Sequence, residues 1–152
     1  MIAYSDSNFA GCRLGRKSTS GTYHFLGRNL ISWSSRKKNS VALSSTEAEY
    51  IAATSCCAQS LWIKYQLEDY GFKLDKIPIR YDNKSTICLS KNSVLHSRTK
   101  HIDIRYHFLK EHVANENIVL DYVCIDDQLA DIFTKSLCEE RFSNLRRDLE
   151  IF

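Results

Sequence analysis

Several features that would place this sequence outside the ordinary globular proteins are missing from it. It has one proline and five glycines in 152 residues, and 43% of the residues are hydrophobic, which excludes collagen-like, low-complexity and disordered chains. No long apolar run is present, so we expect no membrane-spanning helix and no membrane partner. The formal charge is only +3, which makes nucleic acid an allowed partner rather than a required one.

The six cysteines do not form a recognisable metal-binding pattern. No two of them are spaced as a Cys-x-x-Cys pair, which argues against a structural zinc site. No signal segment opens the chain, so we expect reduced thiols and a cytoplasmic location. A chain of this length buries roughly two thirds of its surface and needs no disulfide to stabilise one core.

The first part of the sequence predicts three antiparallel strands. Residues 2–7 form a strand that starts almost at the first residue, which suggests a segment of a longer polypeptide. Residues 21–28 and 29–35 are rich in aromatic and β-branched residues and are separated by a Gly-Arg-Asn turn signal. Because the connections are too short for a crossover helix, each strand is expected to pair antiparallel with the next.

Helices and strands alternate in the rest of the chain. A hydroxyl-rich cap at Ser44 predicts a long helix that ends near Gly71. Its expected core positions are Ala48, Ile51, Ala52, Ala58, Leu61, Trp62 and Tyr65. The other predicted elements are strands at 78–82 and 118–124, helices at 83–91 and 99–114, a last core helix from Asp126, and a helical tail carrying Phe142, Leu145 and Leu149. This order predicts one domain of the α/β (α+β) class, with a mixed sheet covered by helices.

Acidic residues lie at the ends of several predicted elements, where side chains from different elements can converge. They are Asp6 on the first strand, Glu47 and Glu49 at the start of the long helix, Asp82 after the fourth strand, and Asp131 in the last core helix. Carboxylates that meet repel one another, so convergence requires divalent cations. Oxygen ligands favour Mg²⁺ or Mn²⁺ over Zn²⁺. Two such ions can hydrolyse a phosphodiester, which predicts a metal-dependent nuclease.

Seven motifs, in order along the chain, carry a family resemblance. They are YSDSNFAG (4–11), STSG (18–21), ISWSS (31–35), SSTEAEY (44–50), DNKS (82–85), RTKHID (98–103) and QLADIFTK (128–135). Together they resemble the ribonuclease H domain of copia-type retrotransposon polyproteins over about residues 2–137. The resemblance implies a ribonuclease H-like fold, with a mixed five-stranded sheet whose first three strands are antiparallel.

The resemblance also implies a site. The catalytic and metal-binding residues would be Asp6, Glu49, Asp82 and Asp131. Glu49 is preferred because the catalytic acid of related ribonucleases H directly precedes an apolar residue and a small-residue helical stretch, and Glu47 is the alternative acid. Two Mg²⁺ ions, replaceable by Mn²⁺, would act with substrate bound. The substrate would be the RNA strand of an RNA/DNA hybrid, recognised through its 2′-hydroxyl groups and cut to give 5′-phosphate products.

Further residues are expected to contact the hybrid. The short polar candidates are Asn8, Ser18, Ser20, Asn83 and Ser85, and the basic candidates, drawn from clusters expected to lie along the phosphate backbone, are Lys37, Arg98 and Lys100. His101 is a candidate proton shuttle, because the six residues between Cys124 and Asp131 leave no room for the histidine-bearing loop of cellular ribonucleases H. No basic helical handle follows the long helix either, so the reverse transcriptase domain of the same polyprotein is the expected partner.

The expected organisation is a ribonuclease H domain at 1–137 and a helical tail at 138–152, monomeric in isolation and acting in cytoplasmic virus-like particles. Three alternatives stay open. One is a hybrid-binding module of the same fold with little or no activity. The second, a transposase or integrase core, is disfavoured because it needs acids in the order D, D, E. The third is a protein-interaction domain whose acidic residues stay solvated.

Overall fold

A five-stranded mixed sheet lies at the centre of the computed structural model, which describes residues 1–12, 14–91 and 103–150. The strands are β1 (Ile2–Asn8), β2 (Thr19–Leu26), β3 (Asn29–Lys37), β4 (Ile77–Tyr81) and β5 (Ile118–Tyr122), in the spatial order β3-β2-β1-β4-β5. The first three strands pair antiparallel, whereas β4 is parallel to β1 and β5 is parallel to β4. The predicted mixed sheet is therefore confirmed.

The helices are α1 (Ser45–Asp69), α2 (Lys84–Lys91), α3 (Asp103–Ala114) and α4 (Glu139–Asp148). The start of α1 follows the predicted cap, because the Ser44 hydroxyl accepts a hydrogen bond from the backbone N–H of Glu47 at 3.1 Å. The Glu47 carboxylate in turn accepts one from the backbone N–H of Leu43 at 2.6 Å. None of the described helices is both long and apolar enough to cross a membrane.

The two faces of the sheet carry separate apolar cores. On one face α1 and α3 cover Ala3, Ile77 and Ile79. The helix approaches the sheet closely because it presents small side chains such as Ala53 and Cys56. The second core is formed by Tyr4, Tyr23, Ala130 and Leu149.

Three of the predicted core positions of α1 are wrong. Ala58, Trp62 and Tyr65 are exposed, and the helix buries Cys56, Cys57 and Ser60 instead. The physical reason is the close helix–sheet contact, which admits small residues and leaves the large aromatic side chains on the solvent side.

The predicted core helix from Asp126 is also wrong. The chain forms two 3₁₀ turns there, Ile125–Asp127 and Leu129–Phe133. Gln128 separates them in an extended conformation with ψ of 94°, and its buried side-chain amide bonds to the backbone on both sides. It donates to the carbonyl oxygen of Ser5 at 3.0 Å and accepts from the N–H of Ala130 at 3.2 Å. The segment is therefore held against β1 by a side-chain hydrogen bond and does not continue as one helix.

The proposed C-terminal tail contains α4, which packs on the rest of the fold. Leu145 and Leu149 are buried, whereas Phe142 is largely exposed. The boundary at residue 137 stays a prediction. The predicted helix at 99–114 is present from Asp103, and residues 99–102 lie outside the described part of the chain.

Candidate active site

Three of the predicted acidic residues converge at one edge of the sheet. Asp6 lies near the end of β1, Asp82 directly follows β4, and Glu49 lies in the second turn of α1. One carboxylate oxygen from each lies within 4.8 Å of the others. They meet because β1 and β4 are parallel neighbours whose carboxyl ends share an edge, and α1 begins beside that edge.

The structure brings Glu49, and not Glu47, into this acidic triad of Asp6, Glu49 and Asp82. Glu49 is buried, and its Oε1 accepts a hydrogen bond from the backbone N–H of Ser7 at 3.3 Å. Glu47 caps α1 instead, as its contact with Leu43 shows. The catalytic and metal-binding role of Glu49 stays a prediction.

Burial makes the triad electrostatically costly. The pKa of Glu49 is raised to about 9 by burial, with further contributions from the negative charges of Asp6 and Asp82. Burial also raises the pKa of Asp6, against the opposing effects of the Thr134 hydroxyl and the Lys135 ammonium. Glu49 Oε2 and Asp82 Oδ1 are buried without a hydrogen-bond partner among the described residues. A bound cation would satisfy both atoms.

The Lys135 ammonium links Asp131 to the triad residue Asp6. Asp131 lies in the second 3₁₀ turn, and its Oδ1 accepts a hydrogen bond from Lys135 Nζ at 2.7 Å. The same ammonium lies 3.3 Å from Asp6 Oδ1. Thr134, next to Lys135, donates its hydroxyl to Asp6 Oδ2. The sequence analysis assigned no role to Thr134 or Lys135. The four-residue spacing of Asp131 and Lys135 is, however, one at which an ion pair can form.

Gly21 permits the second 3₁₀ turn to pack against the sheet. It lies opposite Asp6 in the β1–β2 register. A Cβ at this position would lie 2.7 Å from Thr134 Cγ2, 2.9 Å from Phe133 Cβ and 3.0 Å from the Ala130 carbonyl oxygen. Sequence reasoning missed this role, because the STSG motif does not reveal which segment approaches it.

Most of the predicted polar substrate contacts have structural partners. Asn8 donates to the Thr134 carbonyl, Ser18 accepts from the N–H of Ala10, and Asn83 caps α2 by accepting from the N–H of Thr86. The hydroxyl of Ser20 is buried without a partner among the described residues, and Ser85 is exposed. Their contact with substrate stays a prediction.

Two lysines at the end of β3 lie at the same edge of the sheet as the triad. Lys37 is exposed, and its Nζ lies 2.9 Å from Cys12 Sγ, which lowers the pKa of the thiol to about 7. Burial lowers the pKa of Lys38 to about 8, with contributions from the positive charges of Arg105 and Arg36. The other predicted contacts, Arg98, Lys100 and the candidate shuttle His101, lie outside the described residues.

A cavity of about 380 Å³ opens beside the triad. Its lining includes Glu49, Asp82, Asn83, Lys84 and Tyr122. Lys84 begins α2, and its Nζ lies 4.6 Å from the centroid of the Tyr122 ring. The site therefore combines buried carboxylates with a cationic and aromatic wall.

Comparison with known proteins adds a sequence relationship to this geometry. No protein-family model matches the chain. The retrovirus-related Pol polyprotein from transposon TNT 1-94 of Nicotiana tabacum is 40% identical over 142 residues, covering 93% of this chain and 11% of that protein. The corresponding polyprotein from transposon RE1 of Arabidopsis thaliana is 41% identical over 145 residues, covering 95% of this chain and 10% of that protein. The chain is a homologue of a segment of these transposon Pol polyproteins. It spans about a tenth of the length of the curated relatives it matches.

Solved structures identify the fold of this chain. The N-terminal RNase H domain of a Mycobacterium tuberculosis protein has a TM-score of 0.63 at 12% identity, covering 96% of this chain and 95% of that one. LC11-RNase H1, solved in complex with an RNA/DNA hybrid, has a TM-score of 0.61 at 16% identity, covering 88% of this chain and 92% of that one. Prototype foamy virus protease-reverse transcriptase has a TM-score of 0.57 at 13% identity, covering 98% of this chain and 20% of that one. The predicted ribonuclease H-like fold is thereby confirmed.

Proposed function

We propose that this chain is a metal-dependent ribonuclease H that cuts the RNA strand of RNA/DNA hybrids during retrotransposon reverse transcription. The observation that carries the proposal is the buried acidic triad, which is costly to maintain unless it holds a cation. The fold and the relationship to transposon Pol polyproteins support a ribonuclease H-type function.

The residues of the triad fit a hard divalent cation such as Mg²⁺, which Mn²⁺ can replace. All three ligands are carboxylates, and the two unpartnered oxygens of Glu49 and Asp82 are the atoms that such an ion would satisfy. Asp6, Glu49 and Asp82 would hold one ion, and Asp6 with Asp131 a second when substrate is present. Ions bound there would activate a water and stabilise the leaving oxygen of a phosphodiester.

Neighbouring groups fix the orientation of the carboxylates. The N–H of Ser7 holds one oxygen of Glu49, and the Thr134 hydroxyl holds one oxygen of Asp6. The second oxygen of Glu49 has no partner among the described residues, and that of Asp6 contacts the Lys135 ammonium. Because these partners belong to β1 and to the turn that packs on it, the carboxylates are preorganised before substrate binds.

We propose that the basic end of β3 binds the phosphate backbone of the hybrid. Arg36, Lys37 and Lys38 place positive charge at the edge of the sheet that carries the triad. We also propose that the reverse transcriptase domain of the same polyprotein helps to hold the hybrid. The foamy virus structure supports this arrangement, because the matching fold is there a fifth of a protease-reverse transcriptase chain.

The proposal is tested by cleavage of a hybrid with labelled RNA in the presence of Mg²⁺. We expect wild type to cut, and Asp82→Asn to cut at least about a hundredfold more slowly, because the loss of a metal ligand removes several kcal/mol of charge stabilisation. Asp121→Asn is the matched control, since Asp121 is an exposed aspartate in β5. Wild-type cleavage no faster than that of Asp82→Asn would contradict the enzyme proposal, and binding without cleavage would favour an inactive hybrid-binding module.

Binding of the hybrid is expected to weaken as the pH rises from 7 to 9. The pKa of Lys38 is about 8 because of burial and the nearby Arg105 and Arg36, so its positive charge is lost over this range. Lys38→Arg keeps its charge and should show a smaller loss, because the titration of Glu49, whose pKa is about 9, then remains as a contribution common to both forms. The measurement is the dependence of the dissociation constant on salt, whose logarithmic slope should fall by about 1 more between pH 7 and pH 9 in the lysine form than in the arginine form.

The thiol of Cys12 titrates in the same range, because its pKa is lowered to about 7 by Lys37. Both proteins are therefore compared in a Cys12→Ser background. An equal pH dependence in the lysine and arginine forms would show that Lys38 does not contact the hybrid.

A further inference from the structure

An internal cation already lies where the second metal ion is expected. The Nζ atom of Lys135 is 2.7 Å from Asp131 Oδ1 and 3.3 Å from Asp6 Oδ1, so one ammonium bridges the two carboxylates. The Asp6 and Asp131 side chains are only 1% and 5% exposed, whereas that of Lys135 is 33% exposed. The lysine therefore reaches from the surface to a pair of buried acids.

The two sides of the site differ in charge balance. Asp131 is contacted twice by positive charge, because Arg141 Nη2 also lies 3.6 Å from its Oδ2. On the other side, Glu49 Oε2 and Asp82 Oδ1 have no hydrogen-bond partner among the described residues. Among the described residues, one side of the site is thus neutralised by basic side chains, and the other side is not.

We propose that Lys135 occupies the second cation position in the substrate-free protein. The chain then binds one divalent ion at the acidic triad, and a second ion binds only after the ammonium leaves Asp131. This inference rests on the metal site proposed above. It makes Lys135 a positioning residue that sets how many ions the free protein holds.

Charge explains why substrate would trigger the exchange. A divalent ion placed beside the Lys135 ammonium is repelled, and each backbone phosphate of the substrate brings a negative charge that offsets this repulsion. Lysine suits the task because its ammonium is a point charge on a flexible stem, whereas an arginine would hold the carboxylate through a planar fork.

The experiment counts Mn²⁺ ions bound by the protein without nucleic acid, by calorimetry and by the electron paramagnetic resonance of free Mn²⁺. We expect one ion for wild type and two for Lys135→Met, which keeps an unbranched side chain of nearly the same length and removes its charge. Lys84→Met is the matched control, because it removes a lysine that lines the cavity beside the triad. It should still bind one ion, since a general change in charge alters affinity without adding a site.

In Lys135→Met the negative charge of Asp131 is neutralised, among the described residues, by Arg141 alone, so the fold could be affected. Two further variants separate a folding defect from a change in ion binding. Lys135→Arg should bind one ion, and the double variant Lys135→Met/Asp131→Asn, which has no second site, should also bind one. Two ions in wild type, or one ion in a folded Lys135→Met, would overturn the inference.

The outcome is separable from that of the nuclease proposal. A change from one ion to two supports the role of Lys135 even if no hybrid is cut. A wild-type protein that binds no Mn²⁺ overturns both the triad as a metal site and this inference. Cleavage by wild type together with an unchanged ion count in Lys135→Met overturns the inference alone.

Discussion

Replacing Glu49 by glutamine is expected to slow hybrid cleavage strongly and, in the absence of divalent ions, to make the protein more stable. The activity falls because a neutral amide is a poor ligand for Mg²⁺, and we expect at least about a hundredfold loss. The stability rises because glutamine keeps an oxygen for the N–H of Ser7 and replaces the unpartnered Oε2 by an amide that can donate to a neighbouring carboxylate. At neutral pH wild type must either protonate Glu49 on folding or bury its charge, and glutamine avoids both costs, which is worth about 1–3 kcal/mol.

The gain in stability should grow with pH. The pKa of Glu49 rises from the ordinary 4.5 to about 9 because of burial and of the charges on Asp6 and Asp82. The folded protein therefore holds this proton more tightly than the unfolded chain does. The resulting stability is fully present below pH 4.5 and is lost as the pH rises toward 9. Between these limits the free energy of unfolding of wild type should fall, and that of Glu49→Gln should fall less.

The measurement is urea unfolding in EDTA at pH 5, 7 and 9, beside cleavage in Mg²⁺. Glu47→Gln is the control, because its side chain caps α1 outside the triad. It should keep both the activity and the pH dependence of wild type. If Glu49→Gln were less stable than wild type in EDTA, the cation-free triad would not cost folding free energy. Loss of activity in Glu47→Gln would reopen the choice between the two glutamates.

Opposite effects of one substitution on activity and stability are typical of a site whose arrangement costs folding free energy. Asp6 and Glu49 are buried near one another because β1 ends, and α1 begins, at one edge of the sheet. A protein-interaction domain with solvated acids would show neither effect, since exposed carboxylates gain little from neutralisation.

The local parts of this site could be read from the sequence. The N-cap residue Ser44 predicts the start of α1. The alternation of apolar and polar residues before Asp82 predicts a strand that ends there. Such signals depend on neighbouring residues, so they predict which acids lie at element ends. Because β1 and β4 are parallel neighbours, the convergence of Asp6 and Asp82 follows from the topology.

The segment that carries Asp131 could not be predicted in the same way. Its hydrophobic pattern resembles that of a helix, but its shape is set by contacts with distant residues. Gln128 uses its side chain to reach the carbonyl of Ser5, and Thr134 reaches Asp6. Neither contact leaves a periodic signal in the sequence. The exposure of Trp62 has a similar origin, because the helix–sheet distance is fixed by the small residues that face the sheet.

Replacing Gly21 by alanine is expected to destabilise the protein by about 3 kcal/mol and to impair cleavage strongly. The added Cβ would meet Thr134 Cγ2, Phe133 Cβ and the Ala130 carbonyl oxygen at 2.7 to 3.0 Å, and two of these atoms belong to the rigid part of the turn. The turn must therefore move away from β2. Because it carries Asp131 and Thr134, a shift of about 1 Å would misplace the groups that hold Asp6 and reduce the rate by about a hundredfold.

Displacement of the turn in Gly21→Ala can be followed by the fluorescence of Trp33. The ring of Trp33 in β3 stacks on Phe133 at a centroid distance of 5.5 Å, so movement of the turn should change the tryptophan fluorescence of the folded protein. Urea unfolding, cleavage and fluorescence are compared with those of Gly15→Ala, in which the nearest contact of the new Cβ is an ordinary 3.7 Å. Gly15→Ala should behave as wild type in all three measurements. Wild-type stability and fluorescence in Gly21→Ala would mean that the turn does not depend on this close approach, and the placement of Asp131 beside Asp6 would then need another cause. A loss of cleavage with both signals unchanged would instead point to a direct contact between Gly21 and the substrate.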